Sequence, residues 1–97
     1  MSAPTKNHSL IDHFLSAAHH ARTGNYGDAA LELDTAVQKL QPALTSSNVP
    51  QSLMSKLMYS LETMYAVQKQ GDWVATADVI EFEFVALLRQ IPGATSV

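Results

Sequence analysis

The chain contains no cysteine, which excludes disulfides, thiolate zinc sites and cysteine nucleophiles. Positive charge is scarce: six Lys and Arg face nine Asp and Glu, for a net charge of -3. The six cations (Lys6, Arg22, Lys39, Lys56, Lys69, Arg89) are scattered singly, so no basic patch is available to hold phosphates or an anionic bilayer. Neither nucleic acid nor membrane is an expected partner. Long apolar runs are also missing. The longest, Phe84 to Leu88, falls far short of the roughly 20 residues that cross a bilayer. Met1 to Asn7 is polar, and Asp12-His13 interrupts the apolar residues beyond it. No signal-peptide core is therefore expected, and a soluble cytoplasmic protein is the default. At 46% hydrophobic the chain is not disordered by composition. Its 97 residues suit one domain spanning 1–97, with order expected over about residues 8–91 and flexible ends.

Glycine, proline and polar caps divide the chain into four helical segments. Ser9, with Asp12 three residues on, reads as a capping box opening the first, which stops at Gly24-Asn25. The second runs from Tyr26 to about Leu40, where Pro42 is expected to end or kink it. Thr45 to Asn48 is expected to form a polar loop. The third starts near Asn48, with Pro50 in its first turn, and ends at Gly71. Asp72 caps the fourth, which stops before Pro92-Gly93.

Each segment carries an apolar stripe at helical spacing. Leu10, Ile11, Phe14, Ala18 and Ala21 share a face of the first, and Ala29, Leu33, Ala36, Val37, Leu40 and Leu44 one of the second. Leu53, Leu57, Leu61, Met64 and Tyr65 line the third, flanked by Met54 and Met58; Trp73, Ala77, Ile80, Phe84, Leu87 and Ile91 line the fourth. The links are short, so the expected fold is all-α: an antiparallel up-down-up-down four-helix bundle. It can also be read as two helical hairpins, because Gly24-Asn25-Tyr26 recurs as Gly71-Asp72-Trp73 at an offset of 47 residues. In that reading each aromatic covers the open end of its own hairpin. Turn chemistry alone, which selects Gly followed by Asn or Asp, gives the same match.

Candidate chemistry is sparse. His8, His13, His19 and His20 all lie at or in the first helix. His13 and His20 stand about 10.5 Å apart along it, too far to share a metal; His8 and Asp12 could pinch one, but no third ligand is visible. The histidines are therefore expected to be solvated and incidental, with neither metal nor cofactor. Asp78 and Glu81, adjacent on one side of the fourth helix, could form a carboxylate pair for acid–base work. A solvated edge balanced by Arg89 is the plainer reading. A small metal-binding or enzymatic bundle built on the histidines or on Asp78 and Glu81 is the alternative to a non-enzymatic protein. Gly24-Asn25-Tyr26-Gly27 lacks the basic, sheet-containing context of a Gly-x-x-Gly nucleic-acid clamp. No phosphate loop or nucleophile elbow occurs, and His19 lacks the basic residue and small-residue spacing of a phosphotransfer helix.

The fourth helix is too apolar for a helix that buries one face. Ala75, Val79, Phe82 and Ala86 form a second stripe opposite the first, which requires either a central position or a further partner. Leu31 and Tyr59 also point away from the expected core. The stripe is the expected partner interface, for another protein or a second copy in a homodimer.

Residues Ala21 to Ala30, with Ala36 beyond them, resemble the second half of a tetratricopeptide repeat, though the chain has no 34-residue period. A wider resemblance, over roughly Leu10 to Ile91, is to the flagellin export chaperone family. It rests on Leu10-Ile11-Asp12, Gly24-Asn25-Tyr26, Ala36 and Leu40, Leu61 with Tyr65, and Gly71-Asp72. The resemblance implies a cytoplasmic helical holdase that binds a client's helical tail in an apolar groove. The chain departs from that family in its shorter length and in carrying Glu81-Phe82-Glu83-Phe84 where the family is more polar.

Overall fold

Helix α1 (Leu10–Arg22) starts where the Ser9 hydroxyl accepts the Asp12 backbone N–H at 3.2 Å, satisfying one of the four orphan donors of a helix N-terminus. The structure, a computed structural model, describes residues 9–91. It continues with α2 (Tyr26–Ser46), α3 (Gln51–Lys69), α4 (Trp73–Val79), one π turn (Ile80–Phe84) and α5 (Val85–Leu88). The last three form an unbroken rod, the fourth helix. No strand occurs among the described residues, so the fold is an all-α, four-helix one.

Two boundaries differ from expectation. Pro42 does not end α2, which runs on to Ser46. The missing N–H and ring clash of an interior proline cost about 3 kcal/mol. Burial of Ala43 and packing of Leu44 on the core offset that cost. The Thr45 hydroxyl also donates to the Gln41 carbonyl at 3.0 Å. Pro50, expected inside the first turn of α3, is instead its N-cap residue, with its carbonyl accepting the Met54 N–H.

The Gly24 and Gly71 turns are built alike. Asn25 N–H reaches back to the His20 carbonyl and Gly24 N–H to Ala21; Asp72 N–H reaches Val67 and Gly71 N–H reaches Gln68. Both are Schellman closures, with the glycines at φ 83° and 79°, a conformation other residues adopt only under strain. The residue after each glycine then becomes the N-cap of the next helix, and Asp72 caps α4 by accepting the Ala75 N–H at 3.0 Å. Tyr26 and Trp73, the first residues of those helices, stack with centroids 5.5 Å apart and planes 8° from parallel. Rather than each covering its own hairpin, the two aromatics join the hairpins to each other.

Helix α1 packs on α2 and on the fourth helix, while α3 packs on the fourth helix. The central seam is therefore α1 against the fourth helix. Along it Phe14 meets Phe84 at 4.8 Å between centroids, both fully buried, and Arg22 meets Asp78 and Glu81. The seam explains the doubly apolar fourth helix: it lies between α1 and α3 and buries residues toward both.

The π turn contributes to that burial. Val85 N–H bonds to the Ile80 carbonyl, five residues back, so the two side chains lie one above the other and both are buried. In a regular α-helix Val85 would stand about 140° away around the axis. Phe82, in the middle of the turn, is carried outward. Deleting Phe82 should convert the turn to regular α-helix with Ile80, Phe84 and Val85 still inward. We expect this deletion variant to keep its helical circular dichroism and cooperative melting. Deleting Thr76 instead would rotate everything after it by about 100° and should unfold the chain. Equal melting curves for the two deletions would contradict this account.

Candidate docking surface

The expected interface stripe divides once the helices are packed. Val79 rests against the core and Ala75 is half-buried, both enclosed by the central position of α4. Phe82 is 75% exposed and Ala86 is also exposed. The outward apolar surface is therefore displaced from the stripe that periodicity picks out. It consists of Phe82, with Val74 exposed two turns earlier, and a wall supplied by α3 that includes Tyr59, 70% exposed. Between the walls runs a groove of about 490 Å³, with Lys56 and Tyr59 on the α3 side and Phe82, Glu83 and Leu87 on the other. At its base the buried Ser60 hydroxyl donates to Glu83 Oε1 at 2.8 Å. A buried polar group is thus satisfied and the Glu83 head group is tied down.

Phe82 is exposed yet held. The Arg22 guanidinium carbon lies 5.9 Å from the centre of its ring, within cation–π range. Arg22 is itself fixed, donating through Nη2 to Asp78 Oδ1 at 2.8 Å and to Glu81 Oε1 at 2.8 Å, and through Nε to Glu81 Oε1 at 3.2 Å. Hydrogen bonding to Glu81 and Asp78 raises the Arg22 pKa above its ordinary value. Asp78 and Glu81 are thus engaged with a guanidinium rather than with each other, and their partner is Arg22 and not Arg89. Arg22 lies 56 and 59 residues away in sequence, so local spacing carries no sign of the cluster.

The histidines are less uniformly solvated than expected. His19 is exposed, but His13 Nδ1 lies 2.9 Å from Glu32 Oε2, and the half-buried His20 has an Nδ1 with no hydrogen-bond partner. His8, in the suggested pairing with Asp12, lies outside the described residues. Among the described residues, no three His, Asp or Glu side chains gather as a metal site, and no helix is long and apolar enough to cross a membrane.

A second groove, of about 410 Å³, is lined by Tyr65, Gln68, Lys69 and Trp73. Burial, with a smaller contribution from the Asp34 charge, pushes the Tyr65 phenol pKa up.

Sequence reasoning found Phe82 from the excess of apolar residues and Tyr59 from its off-stripe position. It missed Val74, Lys56 and Glu83, and it assigned Leu87 to the core, where it is only half-buried. Comparison with protein-family models, curated proteins and solved structures finds no match for this chain.

Proposed function

We propose that this protein is a helical interaction module without catalytic activity, a cytoplasmic adaptor or export chaperone in kind, which receives a partner helix in the Tyr59–Phe82 groove. The observation that carries this reading is the held exposure of Phe82. A large apolar ring facing water is stabilised by leaving it, and ordering a mobile side chain is among the costs of association. Here the Asp78–Glu81–Arg22 cluster orders the ring beforehand. The groove has an aromatic on each wall and charges at its edges, the composition of a hot spot with a polar rim. An amphipathic helix laid along it would present its apolar residues at i, i+3 or i+4, and i+7. The carboxylates that could have served acid–base chemistry are occupied in positioning Arg22.

The test is an NMR titration with an idealised amphipathic Leu/Lys helical peptide. Shift changes should centre on Tyr59, Phe82 and Leu87 and should be lost in Phe82→Asp, whose melting temperature should stay close to that of the parent. Changes centred on another face, or none, would remove the support for this reading.

A further inference from the structure

We infer that the groove orients its partner helix, favouring the direction that sets a carboxylate of that helix over Lys56 and an ammonium one turn further on over Glu83; this rests on the docking reading above. Among the described residues lining the groove, two are charged, Lys56 and Glu83, and they belong to opposite walls. Ser60 fixes their offset. Its hydroxyl donates to Glu83 Oε1 at 2.8 Å, and it follows Lys56 by four residues on α3, about 6 Å along the axis. The groove thus has a cationic position at Lys56 and an anionic one beside Ser60, a helical turn apart.

Both charges are available to a partner. Among the described residues neither Lys56 nor Glu83 has an ion-pair partner in its own chain, and Glu83 keeps Oε2 to accept while Oε1 is bonded to Ser60. Arg22 adds no competing free cation, since Asp78 and Glu81 share its guanidinium. A helix seated between Tyr59 and Phe82 brings its own side chains at i and i+4 onto one face, also about 6 Å apart along its axis. With its carboxylate over Lys56 and its ammonium over Glu83, it makes two opposite-charge contacts. Turned end for end, it makes two like-charge contacts, which disfavour that orientation. A regular apolar stripe offers the groove nearly the same surface in both directions, so the charges decide between them.

Two Leu-based helical peptides test this by NMR on the full chain. One carries Glu then Lys at i and i+4 beside its Leu stripe, the other Lys then Glu, and each has a nitroxide at its N-terminus. The Glu-first peptide should lie with its N-terminus toward the start of α3 and broaden the Ser52 amide. The Lys-first peptide should lie the other way and broaden Val67 instead. Each should favour its own direction about tenfold, a ratio that falls toward one in high salt. In the double variant Lys56→Glu with Glu83→Lys, both directions should exchange. If Glu83→Lys does not fold, Lys56→Glu alone should leave each peptide broadening both ends. A direction that ignores the order of the peptide charges, or that survives their exchange in the protein, overturns the inference and leaves the docking reading standing. Peptides that shift neither Tyr59 nor Phe82 remove the docking reading itself, and this inference with it.

Discussion

Phe14→Ala is expected to remove about 3–5 kcal/mol of stability. A small domain has only about 5–15 kcal/mol in total, so the variant should be barely folded at 25 °C, with its urea midpoint moved far toward zero. The reason is specific to the site. Phe14 is fully buried, and its ring sits against Phe84, also fully buried, across the seam between α1 and the fourth helix. Removing it opens a cavity at the contact that holds the two hairpins together, and rods pinned by their other contacts can relax into it only in part. Phe82→Ala is the control, since a ring that is 75% exposed should change stability by about 0.5 kcal/mol or less. Urea unfolding monitored by circular dichroism checks both. Comparable losses at the two positions would mean that the assignment of core and docking ring is wrong.

The contrast also shows what could be read from the chain. Helical spacing identified Phe14, Ile80 and Phe84 as inward because burial of a helix face repeats every 3.6 residues, and the sequence records that period directly. Gly24, Gly71 and Asp72 were legible because positive φ and N-capping are each satisfied by few residue types. Pro42 does not end α2 because propensity is local, while the burial of Ala43 and the packing of Leu44 that offset its cost are tertiary. The π turn has no glycine or proline to announce it. It arises because the fourth helix must present Ile80 and Val85 on one side while lying between two neighbours, a demand set by packing. The groove was only half legible for the same reason: Phe82 stands out on its own helix, but its opposite wall belongs to α3, and its support, Arg22, to α1.

Ala18→Tyr is the second large effect expected, and its basis is the difference between the two hairpins. On α1, Phe14, Ala18 and Arg22 are four apart and so share a face; Phe14 and Arg22 both touch the fourth helix, which places the fully buried Ala18 in the seam between them. Forty-seven residues later the same positions on α3 hold Leu61, Tyr65 and Lys69. The corresponding seam, α3 against α2, is not among the principal helix contacts. Tyr65 is instead 39% exposed, close enough to Asp34 of α2 to feel its charge. We expect that an alanine lets the rods of the first seam approach and that a tyrosine at the equivalent place acts as a wedge holding the second pair apart. Putting the tyrosine into the closed seam should therefore cost about 3 kcal/mol or more, from overpacking and from a phenol stranded without a partner. Tyr65→Ala should cost less than Ala18→Tyr, since Tyr65 is 39% exposed whereas Ala18 is fully buried. Denaturant midpoints for the two variants decide the matter. A mild cost for Ala18→Tyr would show that the α1 seam yields to volume and that its alanines do not set the helix spacing. If Tyr65→Ala proved the more damaging, the tyrosine would be a core residue of the α3 side and the wedge account would fail.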